Sequence, residues 1–176
     1  MAQLLMKRPL GAPALPPASP VAVREATRDD IPGIARLMAA AYAEQPWDAA
    51  RVAKELFDVT DVPVVYVVDD GDKIIATASV RYHEDFPGAG YVHYVGVDPQ
   101  ARGRRLGTVV MARVMRRFAA DGKTFSVLNT DDFRLPAIAS YLGQGFVPQY
   151  PDADHEVRWS RIFEQLAQSR RTAGNR

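Results

Sequence analysis

Residues 95–108, with the sequence VGVDPQARGRRLGT, constrain the fold of this chain more than any other segment. An apolar strand ends at Asp98-Pro99, and a loop rich in arginine and glycine then leads into a helix whose first turns contain no acidic residue. The start of a helix leaves about four backbone N–H groups without partners and carries partial positive charge. Gly103 and Gly107 admit a ligand close to the backbone, and three arginines add cationic charge. The segment therefore predicts an anion site suited to a pyrophosphate.

The loop differs from the commoner phosphate-binding loops. It lacks the Gly-Lys-Ser/Thr ending of a P-loop and the spacing of the dinucleotide fingerprint. It resembles the acetyl-CoA loop of the GCN5-related N-acetyltransferases, Arg/Gln-x-x-Gly-x-Gly/Ala, with Arg102 at the first position and Gly107 at the last. Arg105 stands where that pattern has its middle glycine. Two explanations are open: the position contributes its N–H without needing a positive φ, or the Arg105 side chain itself reaches a phosphate.

A second segment, residues 125–146, resembles the other signature of the same family. A buried strand ends near Asn129, and a short helix follows with Tyr141 four residues before Gly145-Phe146. The two motifs occur in the order strand, loop, helix, strand, helix, which makes one βαβα unit. The resemblance to the acetyltransferases covers about residues 21–159 and implies an α+β fold. In that fold a mixed, mostly antiparallel sheet is flanked by helices and splayed where the pantetheine arm of the cofactor enters.

The remaining patterns supply the other elements of such a fold. A capping signal at Thr27 and an apolar stripe predict a first helix, and Asp69-Asp70-Gly71-Asp72 predicts a hairpin. The predicted strands are 21–26, 64–68, 73–82, 91–97, 125–130 and 156–159, and the predicted helices are 27–41, 49–57, 108–120, 134–145 and 161–168.

The resemblance implies the cofactor contacts. The strand before the loop would carry the acyl thioester, with backbone groups of Val95 and Val97 pairing with the pantetheine amides. Gly96 between them marks a bulge, a close backbone approach or an ordinary strand glycine. Asn129 touches the pantetheine arm or caps a turn. The expected cofactor-binding residues are Val95, Gly96, Val97, Arg102, Gly103, Arg104, Arg105, Leu106, Gly107, Thr108 and Asn129.

The resemblance also implies the catalytic groups. Tyr141 matches the tyrosine whose hydroxyl lies near the sulfur of CoA, so it is the expected general acid, although a tyrosine packed on the sheet is the alternative. His93 precedes the thioester strand residues, and an imidazole with a pKa near 6.5 suits a general base. A histidine inside the sheet is its alternative, and His83, Glu84 and Asp85 are further candidates, as is a water chain.

Two groups of residues bear on the acceptor. The acidic residues Glu84-Asp85, Asp131-Asp132, Asp152, Asp154 and Glu156 either line an acceptor channel that favours a cationic amine or form solvated loops. Trp47 and Tyr42 form an aromatic wall of the acceptor pocket or part of the core.

Composition excludes several classes of function. A chain of 176 residues with 47% apolar content can form one well-cored domain. A net charge of +1 argues against general nucleic-acid binding. The absence of cysteine excludes a disulfide framework, a cysteine nucleophile and a thiolate metal site, and three scattered histidines argue against zinc. We therefore expect no metal.

The expected domain organisation has three parts. Residues 1–20, rich in proline and alanine, form a disordered leader, residues 21–160 form the N-acetyltransferase domain, and residues 161–176 form a C-terminal helix or tail. Neither a secretory signal nor a membrane span is evident, so a cytoplasmic protein is expected.

These observations predict an N-acetyltransferase that moves an acetyl group from acetyl-CoA to a primary amine by direct attack in a ternary complex. A non-catalytic acyl-CoA-binding module with the same fold is the alternative. The acceptor is a small amine, an aminoglycoside-like drug, an amino acid or a peptide amine. No nucleic-acid or membrane partner is expected, and the protein is a monomer or homodimer.

Overall fold

A central sheet with the strand order β2-β3-β4-β5-β6-β1-β7 organises the protein. The structure, a computed structural model, describes residues 3–11 and 21–174. The strands of this part are β1 (Leu4–Pro9), β2 (Arg24–Glu25), β3 (Val64–Asp69), β4 (Ile74–Arg81), β5 (Ala89–Val97), β6 (Phe125–Thr130) and β7 (Val147–Pro148). Its helices are α1 (Ile31–Ala41), α2 (Ala49–Val52), α3 (Leu106–Ala120), α4 (Leu135–Gly143) and α5 (Ala153–Gly174).

Among these strands, only β5 and β6 pair in parallel, and the other recorded neighbours are antiparallel. The α+β class and the mixed, mostly antiparallel sheet predicted from the sequence are therefore confirmed. A single 3-10 turn, Arg28–Asp30, precedes α1, and a π-helical turn, Ala53–Phe57, continues α2. Thr27 and Asp30 form the capping box at this start, as the local sequence predicts.

Side chains alternate between two cores on opposite faces of the sheet. In β3, Tyr66 and Val68 point into a core that α3 and α5 cover, whereas Val65 and Val67 point into a core that α1 and α2 cover. This alternation is the period of two that strand geometry imposes. Because helices pack on both faces of the sheet, strand ends and openings between strands are the places where a ligand can reach the described strands most directly.

The prediction of a disordered leader over residues 1–20 is wrong for its first part. Residues 4–9 form β1, which pairs with β6 on one side and β7 on the other. Leu4 and Met6 are fully buried and anchor the strand in the first core. The proline-rich composition hides the short alternation of apolar residues in this strand. Its partner strands also lie more than 100 residues away in sequence, so no local pattern indicates the pairing. The rest of the predicted leader, residues 1–2 and 12–20, lies outside the described residues.

The predicted boundary at residue 160 and the predicted strand at residues 156–159 are also wrong. Both fall inside α5, a helix of 22 residues. The Asp152 carboxylate accepts a hydrogen bond from the backbone N–H of His155 at 3.0 Å, near the start of this helix. Trp159 and Ile162, three residues apart, are buried in the first core. The C-terminal segment is thus a helix, one of the two forms expected for it. The helix begins before residue 161, and its buried side chains belong to the first core.

Within residues 3–11 and 21–174, no helix is both long enough and apolar enough to cross a bilayer.

Candidate functional site

The edge of β5 that faces β6 is open over most of its length. The two strands pair only between residues 89–91 and 125–127, while the other edge of β5 pairs with β4 as far as Val97. From residue 92 onward β5 and β6 diverge, which confirms the predicted splay. An open strand edge can bind an extended ligand as an added strand. Val95 and Val97 lie on this stretch, and their contact with a pantetheine arm stays a prediction.

A bulge interrupts β5 within the open stretch. The pairing register shifts between Thr77 and Ser79 of β4, so that Tyr94 and Val95 of β5 together lie opposite one residue. Tyr94 has a φ of 46°, in the left-handed region that side chains other than glycine rarely occupy. The bulge changes the direction of the backbone groups at the point where the sheet opens.

Gly96 does not form the bulge. It pairs in register with Thr77, and a methyl group on Gly96 would lie 3.0 Å from Sδ of Met38 and 3.3 Å from Cγ2 of Thr77. The bulge is therefore the wrong explanation for this glycine, because the bulge lies one to two positions earlier, at Tyr94 and Val95. Gly96 instead allows α1 to pack closely against β5.

The loop after β5 is held at Asp98 and enters α3 through left-handed residues. The Asp98 carboxylate accepts a hydrogen bond from the N–H of Gln100 at 2.8 Å and lies 2.9 Å from Nζ of Lys73, which lowers the pKa of Asp98. Gly103 has a φ of 82° and Arg105 a φ of 56°. The explanation that position 105 needs no positive φ is therefore wrong, because Arg105 adopts a conformation that glycine takes without strain.

The N-terminus of α3 has the features of an anion site. Arg102, Arg104 and Arg105 are exposed, and none of them belongs to an ion pair within the described part of the chain. The first turn of α3 contains no acidic residue. Leu106 is buried, so it can contribute only its backbone N–H to a ligand. Gly107 and Thr108 follow in the same turn and are half-buried.

Tyr141 lies on α4 and belongs to a cluster of tyrosines beside the splay. Its ring packs against that of Phe146, with centroids 6.1 Å apart, and its hydroxyl interacts electrostatically with Arg134, Tyr91 and Tyr42. Burial raises the pKa of Tyr141 to about 12, so the hydroxyl keeps its proton at neutral pH. The hydroxyl therefore carries the proton that a general acid needs, and its role as general acid stays a prediction.

His93 lies on the face of β5 that α1 and α2 cover, and only 7% of it is exposed. Its ring interacts with the backbone of Glu55, while Nε2 is buried and has no hydrogen-bond partner among the residues that the structure describes. Burial, with a smaller contribution from the Arg81 charge, lowers the pKa of His93 to about 4. The expected pKa near 6.5 is therefore wrong. The imidazole is neutral at pH 7 and can accept a proton, but only as a weak base.

Tyr91 connects several of the predicted residues, although it belongs to neither sequence motif. It is the last residue of β5 that pairs with β6, so it lies where the two strands separate. Its ring centroid is 5.9 Å from that of His93, and its hydroxyl interacts with the side chain of Asn129 and the hydroxyl of Tyr141. The structure therefore brings His93, Asn129 and Tyr141 around Tyr91. In sequence Tyr91 is one more apolar position of a strand, and no spacing distinguishes it.

Arg134 lies among the aromatic residues that face this opening. Its guanidinium carbon is 4.2 Å from the ring centroid of Tyr42, and its side chain pairs with Glu44 and with Asp131. The rings of Tyr42 and Trp47 are 6.2 Å apart, and Trp47 is buried in the second core. Tyr42 and Trp47 therefore pack together as part of that core, and their role as a wall of the acceptor pocket stays a prediction.

Several of the acidic residues considered for an acceptor channel are paired with cationic groups. Asp132 lies 2.6 Å from the Arg158 guanidinium, and Asp131 lies 3.0 Å from Nε of Arg134. These pairs favour the structural explanation for Asp131-Asp132 over attraction of a cationic amine.

The other candidates for a base lie in the turn between β4 and β5. His83 Nδ1 lies 3.4 Å from a carboxylate oxygen of Asp85, and its ring centroid is 6.0 Å from that of Tyr91.

At the start of α5, Asp152, Asp154 and His155 each offer an atom that could bind a metal ion, and these atoms lie within 4.8 Å of one another. The Asp152 carboxylate already contacts Nδ1 of His155 at 2.7 Å. That the protein uses no metal stays a prediction.

A profile of the acetyltransferase (GNAT) family matches residues 28–146, more than half of the chain. The chain belongs to this family. A mycothiol acetyltransferase of a Nocardioides species is 29% identical over 150 residues, which covers 75% of the chain and 50% of the relative. A Streptomyces bingchenggensis protein of the same name is 29% identical over 160 residues, covering 84% of the chain and 51% of the relative. The chain thus spans about half the length of the curated relatives it matches.

Solved structures agree on the fold. The ribosomal-protein-S18-alanine N-acetyltransferase of Escherichia coli superposes with a TM-score of 0.62 and 19% identity, covering 76% of this chain and 85% of that one. At such identity the likeness concerns the fold alone, and the GNAT fold predicted from the sequence is confirmed.

Proposed function

We propose that this chain transfers an acetyl group from acetyl-CoA to a primary amine by direct attack within a ternary complex. Membership of the acetyltransferase family supports acetyl transfer. The observation that carries the assignment to this site is the open edge of β5 leading directly into the arginine-rich N-terminus of α3. The sequence contains no cysteine, so an acyl-cysteine cannot form. We further propose that the protein acts in the cytoplasm as a monomer or homodimer.

The loop and the strand fit the two halves of the cofactor. Backbone N–H groups of residues 103–108, together with Arg102, Arg104 and Arg105, would hold the pyrophosphate at the start of α3. The open edge of β5 would hold the pantetheine arm through backbone groups of Val95 and Val97, with Asn129 across the splay. When bound, acetyl-CoA supplies an activated acetyl group at this edge.

Two groups would then stabilise the charge that develops during transfer. The backbone N–H of Val95, on the bulge, would polarise the thioester carbonyl. The Tyr141 hydroxyl, which is protonated at neutral pH because burial raises its pKa to about 12, would protonate the leaving thiolate. The non-catalytic alternative predicts that removing this hydroxyl changes nothing.

His93 is the base we propose, in its neutral form. Its ring interacts with the Glu55 backbone, and within the described part of the chain Nε2 has no hydrogen-bond partner. Tyr91, where β5 and β6 separate, lies beside it. A pKa of about 4 makes direct capture of an ammonium proton inefficient. The amine would therefore arrive neutral, and His93 would receive, directly or through ordered water, the proton that the nitrogen loses after it has bonded to the thioester carbon.

The acceptor is a small-molecule or peptide amine. The curated relatives are named for mycothiol, and the structural neighbour from E. coli for the alanine of a ribosomal protein. Both kinds of acceptor belong in a substrate screen, together with amino acids, aminoglycosides and simple arylalkylamines.

The deciding experiment measures thermal unfolding with and without acetyl-CoA, CoA and ATP, followed by release of free thiol over that amine panel. Binding to the folded state alone raises the melting temperature, so we expect acetyl-CoA and CoA to stabilise the protein and ATP to have little effect. Thiol release that depends on one amine class would identify the acceptor. Stabilisation by CoA without thiol release from any amine would favour the non-catalytic module, and no stabilisation would refute the cofactor assignment.

A further inference from the structure

A hydrogen bond joins the end of α1 to the bulge of β5. Tyr42 is the residue that ends α1, and its hydroxyl donates to the backbone carbonyl of Val95 at 2.9 Å. Burial raises the pKa of this hydroxyl above its ordinary value, so it remains a donor. Val95 is one of the two bulged residues, and a bulge disturbs the regular ladder of backbone hydrogen bonds. Tyr42 therefore supplies a partner at the irregular point of the strand.

Arg134 holds Tyr42 in place from the other side of the splay. Its guanidinium carbon lies 4.2 Å from the Tyr42 ring centroid, and the same group pairs with Glu44, two residues after Tyr42. Nε of Arg134 also lies 3.0 Å from Asp131, which directly follows β6. Only 17% of the Arg134 side chain is exposed. Through these contacts Arg134 ties the end of α1 to the end of β6, and Tyr42 ties α1 to β5.

The connection bears on the reaction because the bulge contains Val95, whose backbone N–H has a proposed catalytic role. Tyr94, the first bulged residue, is held in the left-handed region with a φ of 46°, a conformation that persists only where the surroundings enforce it. Val95 carries the backbone N–H that the proposed function places at the thioester carbonyl. Without the hydrogen bond to the Val95 carbonyl, the two bulged residues would be held less firmly, and the direction of this N–H would no longer be fixed.

We propose that Tyr42 and Arg134 are positioning residues that hold the β5 bulge in the geometry required for acetyl transfer, with Arg134 acting through Tyr42. This inference rests on the proposed function. Neither side chain forms a hydrogen bond, ion pair or ring contact with the loop at residues 102–108, so both should influence the chemical step more than cofactor binding. A displacement of about 1 Å at a reacting group costs on the order of 10²-fold in rate.

The test compares Tyr42→Phe, Arg134→Gln and the double variant with the wild type. We expect kcat to fall about tenfold or more in each single variant, with KM for acetyl-CoA within about twofold. Because Arg134 acts through Tyr42, the double variant should lose little more than the worse single variant. Arg134→Lys, which keeps the charge facing Glu44 and Asp131, should recover part of the loss. The control is Arg28→Gln, which removes the ion pair between Arg28 and Asp58 just before α1, at the opposite end of that helix from Tyr42.

A second measurement does not depend on turnover. Amide hydrogen exchange of a peptide covering residues 91–97 should accelerate in Tyr42→Phe and in Arg134→Gln, and remain unchanged in Arg28→Gln. Unchanged exchange in both variants would overturn the proposal, as would effects on kcat that multiply in the double variant or a loss confined to KM. If the wild type shows no turnover with any amine, the proposed function fails, and the exchange data still decide whether the two residues hold the bulge.

Discussion

A methyl group on Gly107 would meet Val97 at 3.7 Å and no other described atom within 4 Å outside its own helix backbone. The protein itself therefore gives no steric reason for a glycine in the first turn of α3, and its φ is not positive. A ligand that approaches the backbone closely does give such a reason.

Gly107→Ala should consequently leave stability unchanged or raise it by up to about 1 kcal/mol, because alanine is the better helix former. The same methyl group should weaken acetyl-CoA binding at least tenfold by blocking the approach to the N–H groups. Chemical denaturation and calorimetric titration measure the two effects. Gly90→Ala is the matched control, since its methyl group would lie 2.2 Å from the Phe118 ring and should destabilise the protein. If Gly107→Ala bound acetyl-CoA with wild-type affinity, the pyrophosphate site would have to lie elsewhere.

Arg105 adopts a left-handed conformation that costs a non-glycine residue roughly 1–2 kcal/mol. Arg105→Gly should therefore raise the free energy of unfolding by about 1 kcal/mol or slightly less, because glycine also gains entropy in the unfolded chain. Arg104→Gly serves as the control. Arg104 is not among the residues with positive φ, so its replacement should lower stability slightly.

The same variants test whether the Arg105 side chain reaches a phosphate. In that case Arg105→Gly gains stability but binds acetyl-CoA more weakly, and the difference from the wild type shrinks at high salt. Equal affinity at low salt would limit Arg105 to its backbone N–H.

The sequence predicted the parts of the fold that local chemistry determines. The loop at residues 102–107 and the strands on either side of α3 could be located because glycine, arginine and apolar runs report directly on turns, anion sites and buried strands. β1 and α5 were misassigned for a common reason. Both lie outside the residues that the family profile matches, and both depend on partners distant in sequence.

The candidate site was predictable in composition but not in arrangement. Tyr141 and Asn129 could be chosen from their spacing, whereas Tyr91 and Arg134 acquire their significance from contacts across the splay. The bulge at Tyr94 was displaced from the expected Gly96, because a positive φ at tyrosine is imposed by packing and not by residue preference. His93 likewise contacts the backbone of Glu55 in the π-helical turn at residues 53–57, which no local pattern connects with β5.

Replacing Tyr141 separates the catalytic function from simple cofactor binding. Tyr141→Phe should lower kcat by about 10²-fold with little change in acetyl-CoA affinity, because only the proton donor is lost. Since burial raises the Tyr141 pKa to about 12, the wild type should show no loss of kcat from Tyr141 ionisation below about pH 10. Steady-state kinetics against pH give both results. Tyr150→Phe, which alters an exposed tyrosine, is the control, and full activity of Tyr141→Phe would remove the residue from the mechanism.

His93 should make stability depend on pH in a defined window. Its pKa is about 4 in the folded protein and 6.5 as its ordinary value, so between these limits the unfolded state binds more protons. The free energy of unfolding therefore falls as the pH is lowered from about 6.5 to about 4, with a slope approaching 1.4 kcal/mol per pH unit from this residue alone. Above pH 6.5 both states are neutral at His93, and its contribution to the slope vanishes.

His93→Gln should remove this part of the pH dependence while the carboxylates continue to titrate. Denaturation midpoints from pH 4 to pH 8 provide the comparison, and the wild type minus variant difference isolates the imidazole. His83→Gln is the control, because it removes a histidine from the turn between β4 and β5 and leaves the buried ring in place. If the slopes of wild type and His93→Gln coincide between pH 4 and 6.5, the imidazole is not held neutral by burial. The proposal that His93 acts only as a weak base would then be wrong, and His93 would have to be considered as a direct base near neutral pH.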